Sequence, residues 1–324
     1  MTTTEVETEK QKFYFHVAPN VWGFKDVFVN IFMVKDDSTK NWVLIDTGVS
    51  AAKKIKKMAI ELFGEDNAKP KAILLTHGHG DHTGNAKALA EEWHVPIYAH
   101  YLEMPYLTGK ASYPPMDPTV GGGLISDLSF LFPSKVDNLD SFVTGLPEDN
   151  TVPSLPGWKW IHTPGHAPGH VSFYRESDKT LIVGDAFITT KGESAFSTLL
   201  QTKKVSRPPA YGTTDWFAAY ESIKTLLMLQ PEVVATGHGK PMYGTEMLKQ
   251  LVDLVENFAT QSLPKQGRYV GDPAVQDANG VEYLPPAFQN PYRKAILIAS
   301  GLLFAASVIV ASTKLGKKKR RFLR

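Results

Sequence analysis

Residues 74–85 read Leu-Leu-Thr-His-Gly-His-Gly-Asp-His-Thr-Gly-Asn, and this stretch decides how the rest of the chain is interpreted. An apolar run over 72–75 predicts a buried strand, and three histidines and an aspartate follow it within six residues. Glycines among them permit tight turns, so the imidazole rings are able to converge. Imidazole and carboxylate groups are ligands for zinc and iron, and the stretch therefore predicts a metal site. The alternative is a polar loop in which Asp81 and Thr83 have capping roles.

The composition is that of an ordinary globular protein. The 324 residues, 43% of them hydrophobic and 21% charged, suffice for one large domain or two smaller ones with a sizeable core. The net charge of +2 hides an asymmetry, because residues 314–324 hold seven Lys and Arg and no acid. The rest of the chain is mildly acidic, about −5, which argues against a nucleic-acid surface. Since there is no cysteine, a metal site would have only nitrogen and oxygen ligands.

The two ends of the chain differ from the part between them. Residues 1–12 show no secretory signal and predict a disordered tail. Residues 262–294 are rich in proline and predict a linker, and 314–324 form a basic tail. Between these two segments, residues 295–313 are nineteen uncharged, mostly apolar residues, just enough to span a bilayer. We therefore expect a C-terminal transmembrane helix, with a buried or amphipathic helix as the alternative.

This helix would be a single-pass anchor that makes the membrane a partner of the protein. The basic residues after the span favour a cytoplasmic C-terminus by the positive-inside rule. Because no signal peptide precedes the large domain, we nevertheless expect that domain in the cytoplasm and a short translocated tail.

Strand and helix patterns alternate along the central part of the chain. β-branched and aromatic runs predict strands over 13–17, 27–34, 42–45, 72–75, 95–99, 159–161, 171–174, 180–183 and 233–235. The stretches between them predict helices over 51–63, 85–93, 214–229 and 245–258. Ser50 is expected to cap the first helix, Gly64 to close it, and a residue near Thr214 to cap the third. This βαβ alternation implies helices packed on a sheet.

Two long loops interrupt the alternation. Residues 109–157 are rich in proline and glycine and include several aromatic residues. Such an insert is either a lid or binding loop, or a packed surface excursion. A second, polar loop covers residues 190–212. Substrate selectivity is expected to lie in these two loops.

Three more polar residues follow predicted strands. They are His166 in the stretch TPGH, Asp185 in VGD and His238 in TGHG. Each repeats the build of the first motif, in which an apolar strand is followed by a glycine and a ligand-type side chain. Ligands at the ends of neighbouring strands converge in one cleft. A single Asp or His after a strand is more often a turn former, but together with the first motif we interpret these residues as one site.

With these motifs the chain resembles the metallo-β-lactamase superfamily over about residues 13–260. The resemblance implies an α/β fold, a four-layer αβ/βα sandwich, for a catalytic domain over 13–261. It also implies two divalent metal ions at one edge, which we expect to be zinc, although iron and manganese accept the same ligands. Position by position, it implies that the first metal is held by His77, His79 and His166, the second by Asp81, His82 and His238, and both by Asp185. Asp46, in the stretch LIDTG at 44–48, is expected to orient these ligands from behind.

The resemblance implies a hydrolase of a small ester-like substrate, a thioester or a lactone, that uses a metal-bridging hydroxide, and the predicted C-terminal span would anchor it in the membrane. Asp81 is a candidate proton shuttle to the leaving group. The alternative is a mononuclear iron oxidoreductase acting on a thiol-derived substrate. A third hypothesis is a tethered binding protein with a relict site, although the seven intact positions argue against it. His79 departs from the glutamate usual in the oxygen-reducing diiron branch, and the missing cysteine departs from the best-known β-lactamase group.

The remaining histidines are not expected to bind metal. His162 continues a strand, and His170 would stack or form hydrogen bonds within the site. The other three, His16, His94 and His100, are expected on the surface or in the core. Tyr211 and Tyr243 are interpreted as packing residues.

Overall fold

Two mixed β-sheets form the centre of the protein. The computed structural model describes residues 12–288 and Ile298. Seven strands follow one another in chain order across the first sheet: β1 (Phe15–Ala18), β2 (Val21–Asp26), β3 (Val29–Lys35), β4 (Trp42–Ile45), β5 (Ile73–Leu74), β6 (Ile97–Ala99) and β7 (Val143–Gly145). The second sheet has five strands, and each again lies beside the next one in the chain: β8 (Trp158–His162), β9 (Val171–Arg175), β10 (Thr180–Gly184), β11 (Val233–Thr236) and β12 (Met242–Tyr243).

Each sheet mixes parallel and antiparallel neighbours. Strands β1 to β4 pair antiparallel, whereas β4 to β7 pair parallel. In the second sheet only β10 and β11 pair parallel. A separate antiparallel hairpin, β13 (Val275–Asp277) and β14 (Gly280–Tyr283), follows the second sheet in the chain.

The described residues form eight α-helices. They are α1 (Ala52–Phe63), α2 (Gly80–Thr83), α3 (Ala86–Trp93), α4 (Met104–Leu107), α5 (Leu124–Asp127), α6 (Ala195–Leu200), α7 (Trp216–Met228) and α8 (Gly244–Glu256). Helices α1 and α3 pack on the first sheet, and α7 and α8 pack on the second. The predicted α/β sandwich is therefore confirmed.

The burial of strand β3 shows why the layers form. All of its residues except Lys35 are buried. Ile31 and Met33 face α1 in the outer core, while Phe32 and Val34 face the second sheet in the core between the sheets. Because successive side chains of a strand point to opposite faces, a continuous apolar run requires a covered sheet on both sides.

Of the three predicted helix ends, only the cap of α1 differs from the prediction. Ala51, and not Ser50, precedes α1, and the Ala52 N–H donates to Asn85 Oδ1 at 3.3 Å. Gly64 ends the helix with φ +80°, as the sequence predicted. At the start of α7 the cap is the neighbour of Thr214: Asp215 Oδ1 accepts from Ala218 N–H at 2.9 Å.

The insert over 109–157 contains both packed and open parts. Leu139 is fully buried in the outer core, and β7 forms the edge of the first sheet. By contrast, Phe130 and Leu131 are 45% and 66% exposed. Neither a lid or binding loop nor a packed surface excursion therefore describes the whole insert.

Residues 262–288, predicted as part of a linker, pack against the part of the chain that precedes them. Tyr269 is 1% exposed and its hydroxyl donates to Pro115 O at 2.7 Å. Gln276 in β13 accepts from Tyr106 Oη at 2.7 Å and donates to Thr214 Oγ1 at 3.1 Å. The prolines of this segment therefore separate short packed elements, and the rest of the predicted linker lies outside the described residues.

The predicted membrane localisation is corrected. In the part of the chain that the structure describes, no helix has both the length and the apolar character needed to cross a bilayer. The stretch 295–313, on which the transmembrane helix, the single-pass anchor and the membrane as partner all depended, lies outside that part except for Ile298. The predicted N-terminal tail over 1–12, except for Lys12, and the predicted basic tail over 314–324 also lie outside it.

Candidate metal centre

Three imidazole rings converge at the end of β5. His77 and His79 lie on the loop after the strand, and His166 comes from the loop between β8 and β9. His79 Nδ1 lies 3.0 Å from His77 Nε2 and 3.0 Å from His166 Nε2. All three side chains are buried. The three nitrogens therefore surround one point and together could hold one ion.

A second group lies beside the first. The single turn of α2 presents Asp81 and His82 next to each other, and His238 follows β11. Asp81 Oδ2 lies 3.8 Å from His82 Nε2 and 3.6 Å from His238 Nε2. His82 is fully buried, whereas the Asp81 side chain is 25% exposed. This group could hold a second ion.

Asp185 lies between the two groups. Its Oδ2 is 3.7 Å from His166 Nε2 in the first group, and 3.0 Å from His238 Nε2 and 3.6 Å from His82 Nε2 in the second. The structure thus brings together all seven side chains that the sequence predicted as ligands.

Asp46 stands behind His82 and fixes its ring. Asp46 Oδ2 accepts from His82 Nδ1 at 2.7 Å, which leaves Nε2 pointing toward Asp185. The same carboxylate accepts from the backbone N–H and the hydroxyl of Thr76, both at 2.8 Å. Asp46 therefore joins the end of β4 to the motif loop, as expected of a residue that orients a ligand.

Three other ligand-type rings are also held from behind. His77 Nδ1 lies 3.1 Å from Thr76 Oγ1, and His166 Nδ1 lies 3.3 Å from Thr213 Oγ1. His238 Nδ1 donates to Phe28 O at 3.0 Å. Each contact fixes the ring orientation and the tautomer, so that the inward-facing nitrogen keeps its lone pair.

Burial and the carboxylates divide the histidines into two electrostatic classes. Burial lowers the pKa of His77 and His166 well below the usual value and that of His79 to about 4. These three rings are neutral and able to coordinate. Burial also opposes charge on His82 and His238, but nearby carboxylates outweigh it and raise both pKa values. At His82 these carboxylates are Asp46, Asp81 and Asp185. At His238 they are Asp185 and Asp81. The second group therefore attracts positive charge, which a metal ion would supply in place of protons.

Two orphaned atoms fit a metal ion. His82 Nε2 and Asp185 Oδ1 are buried and have no hydrogen-bond partner among the residues that the structure describes. An unsatisfied buried polar group costs free energy unless another partner completes it. A set of imidazole nitrogens and carboxylate oxygens suits zinc, iron and manganese alike. The residues present therefore fit divalent metal ions, and they do not select one of the three.

A glycine after β11 leaves room for the centre. A Cβ added at Gly237 would overlap Asp185 Oδ1 and lie 2.9 Å from His82 Cε1. A side chain at this position would therefore displace the carboxylate between the two groups.

Sequence reasoning missed Glu103. This side chain is fully buried and accepts from Gly78 N at 2.8 Å, from Gly169 N at 2.7 Å and from the Tyr113 hydroxyl. Glu103 thus links the loop of His77 and His79 to the loop of His166. A glutamate in an ordinary helical stretch gives no sequence signal for such a role.

The remaining histidines and tyrosines lie outside the two groups. His162 donates to Pro168 O at 2.8 Å and stacks on His100, while His16 and His94 are exposed. Tyr211, interpreted as a packing residue, lines the cleft above the centre; Tyr243 lies on edge strand β12 and is 46% exposed.

The centre opens into a cleft of about 270 Å³. Five of the seven ligand-type side chains line its floor, namely His79, Asp81, His166, Asp185 and His238. Its walls come from four places in the chain: the β2–β3 turn, the loop between β4 and α1, the 109–157 insert and the loop over 190–212. This combination of a polar floor and apolar walls is typical of small-molecule sites.

Comparisons with known proteins agree with this geometry. The family model for the metallo-beta-lactamase superfamily matches residues 25–238. The probable metallo-hydrolase YflN of Bacillus subtilis (strain 168) is 42% identical over 248 residues, which are 76% of this chain and 94% of that protein. The hydroxyacylglutathione hydrolase GloC of Haemophilus influenzae is 28% identical over 160 residues, or 48% of this chain and 65% of that protein. A solved structure of a B3 metallo-β-lactamase with an active-site glutamic acid has a TM-score of 0.50 at 16% identity, covers 78% of this chain and 90% of its own, and supports the fold alone.

Proposed function

The chain belongs to the metallo-β-lactamase superfamily, and from this premise we propose that it is a dinuclear metal-dependent hydrolase of a small ester-like substrate, a thioester or a lactone. One observation supports this most directly. Asp185 Oδ2 lies 3.7 Å from His166 Nε2 and 3.0 Å from His238 Nε2, between two groups of ligand-type side chains. A carboxylate in this position suits a bridge between two ions.

We assign the side chains by their groups. One ion would be held by His77, His79 and His166, the other by Asp81, His82 and His238, and Asp185 would contact both. Bound divalent ions would supply hydroxide from water near neutral pH and polarise the scissile carbonyl. Asp46 keeps His82 in the tautomer that this requires.

Asp81 is the residue placed to move a proton. Its side chain is 25% exposed at the cleft floor, while the other ligand-type side chains are nearly enclosed. Its carboxylate would take a proton from the attacking water and deliver it to the leaving oxygen or sulfur. The C–O or C–S bond then breaks, and the acid and the alcohol or thiol are released.

The relatives support hydrolysis and leave the substrate open. YflN is named a probable metallo-hydrolase, and GloC is named for hydrolysing hydroxyacylglutathione. An acylated thiol therefore belongs among the substrates to be tested.

The test uses the full-length chain loaded with zinc, manganese or iron. Its metal content is measured by plasma mass spectrometry, and hydrolysis is measured with a thioester, a lactone, a β-lactam and a phosphodiester. We expect two equivalents of metal and turnover of the thioester or the lactone, both lost in His82→Ala. Asp81→Asn that retains metal should lose turnover by at least about 100-fold.

Three results would contradict parts of this proposal. Turnover of the β-lactam or the phosphodiester alone would replace the proposed substrate class. If the panel stays unhydrolysed, if one equivalent of iron is bound, and if oxygen is consumed with a thiol-derived substrate, the protein is instead an iron oxidoreductase. Full turnover in Asp81→Asn would remove the proton-transfer role.

A further inference from the structure

The walls of the cleft are apolar up to the edge of the metal centre. Phe28 connects the apolar wall to the metal centre, because its ring stacks on His238 at a centroid distance of 5.8 Å. Its carbonyl also accepts a hydrogen bond from Nδ1 of the same histidine. Across the cleft, the ring of Phe132 packs edge-on against Tyr211 at 5.6 Å. The other apolar wall residues are Val27, Val49, Met116, Pro133 and Pro209.

The cleft offers no fixed cation to an anionic substrate. Among the described residues, no lysine or arginine lines it. Phosphate and carboxylate groups are usually held by such side chains, by backbone N–H groups at a helix start or by metal. Away from the metal centre, this cleft therefore suits an uncharged group.

Val27 adds an independent observation at the mouth of the cleft. It lies in the tight turn between β2 and β3 with φ +55° and is 59% exposed. A left-handed conformation is unfavourable for a β-branched residue, and glycine or asparagine would fit it better. Strain that persists in an exposed apolar residue points to a function that the side chain performs there.

On the basis of the proposed function, we propose that the substrate is an uncharged ester or lactone with an apolar chain, and that Val27 is a specificity-determining residue that contacts this chain. The scissile carbonyl lies over the polar floor, and the chain lies along the wall formed by Phe28, Val27 and Val49. The volume of about 270 Å³ is slightly below the range of about 300–1,000 Å³ that is usual for small-molecule sites, which favours a chain of modest length.

The first experiment compares three esters that share one leaving group. They are 4-nitrophenyl acetate, 4-nitrophenyl hexanoate and the mono-4-nitrophenyl ester of hexanedioic acid, with His82→Ala as the blank. Because each buried methylene contributes about fourfold to kcat/KM, we expect hexanoate to exceed acetate by at least about tenfold. The hexanedioate ester has the same chain length and a terminal carboxylate, and we expect its kcat/KM to be close to that of the acetate ester.

The second experiment uses Val27→Asn and, as a matched control away from the cleft, Val275→Asn; Val275 is 44% exposed in the hairpin strand β13. Val27→Asn should lower the hexanoate-to-acetate ratio of kcat/KM by about 3- to 10-fold. It should not lower Tm, because asparagine tolerates the left-handed conformation. Val275→Asn should leave the ratio unchanged.

Binding of octanamide, an uncharged and unreactive probe, is measured in parallel by thermal shift and separates the two proposals. If no ester is hydrolysed but octanamide raises Tm less in Val27→Asn than in the wild type, the apolar cleft stands and the hydrolase proposal fails. If esters are hydrolysed without preference for hexanoate, or with the same ratio in Val27→Asn, the hydrolase proposal stands and the inference about Val27 is wrong.

Discussion

His170 accepts a hydrogen bond from the backbone N–H of Asp185, with 2.8 Å between the nitrogens. Its other nitrogen, Nδ1, lies 2.8 Å from Thr163 Oγ1. Burial lowers the pKa of His170 to about 3, so the ring is neutral and Nε2 is free to accept. His170, which belongs to neither ligand group, therefore fixes the backbone of Asp185, whose carboxylate lies between the two groups.

We expect His170→Phe to weaken both the fold and metal retention. Phenylalanine keeps a ring in the space but leaves the buried Asp185 N–H without an acceptor, which costs about 1–3 kcal/mol in the free energy of unfolding. Urea unfolding of the metal-free protein measures the first effect, and metal content after dialysis measures the second. His16→Phe, at an exposed position, is the control. Equal stability and equal metal content in the two variants would remove the role assigned to His170.

Glu103 acts from the other side of the centre. Its two oxygens face three donors, the N–H groups of Gly78 and Gly169 and the Tyr113 hydroxyl, an arrangement that suits an ionised acceptor. Burial raises the pKa of Glu103, and the three donors oppose that shift. Tyr113 also packs edge-on against His79 at 4.8 Å, so the pair supports the first ligand group directly.

Glu103→Gln should therefore be costly although it conserves shape. The amide has one accepting oxygen, so its NH₂ group would face at least one N–H donor, and we expect a loss of about 1.5–3 kcal/mol in the free energy of unfolding. Tyr113→Phe removes the shared hydrogen bond alone. In a double-mutant cycle the two changes should couple by about 0.5–3 kcal/mol. Additive effects would show that the tyrosine and the glutamate act separately.

The sequence predicted the grouping of ligand-type side chains because each lies close after the end of a strand, and ligands at the ends of neighbouring strands converge in one cleft. His77, His166 and His238 all follow this pattern. The alternation of strands and helices predicted helices packed on a sheet, whereas the sandwich was implied by the family resemblance. The burial of β3 and β10 shows why both faces of each sheet are covered. The ligand roles themselves stay predictions until metal binding is measured.

Other features had no local signal. Glu103 meets Gly169 across 66 positions of sequence, and nothing near either residue indicates the contact. The cap of α1 also had no local signal. Asn85, and not Ser50, accepts from the Ala52 N–H at the start of this helix, and Asn85 lies 33 positions away in the sequence. Proline-rich composition predicted a linker over 262–294, but composition does not show that Tyr269 has a buried site to fill.

A stacked pair of histidines lies apart from the ligand groups. The rings of His100 and His162 are 4.1 Å apart and nearly parallel, at 12°. His100 is buried, and its Nδ1 accepts from Leu102 N–H at 3.3 Å. Burial first, and the neighbouring His162 second, lower the pKa of His100 from 6.5 to about 4. The folded protein therefore keeps this ring neutral at pH values where the unfolded chain would protonate it.

This difference gives a pH dependence with a definite sign. Between pH 6.5 and about 4 the unfolded chain binds the extra proton, so stability is retained above 6.5 and falls as the pH decreases toward 4. His100→Asn removes the titrating ring and keeps an acceptor for the Leu102 N–H. We expect wild-type stability to fall more than that of the variant between about pH 7.5 and about pH 4.5, in urea unfolding of the metal-free proteins. Every other histidine is common to both proteins, so parallel stability curves would show that His100 titrates normally in the folded state.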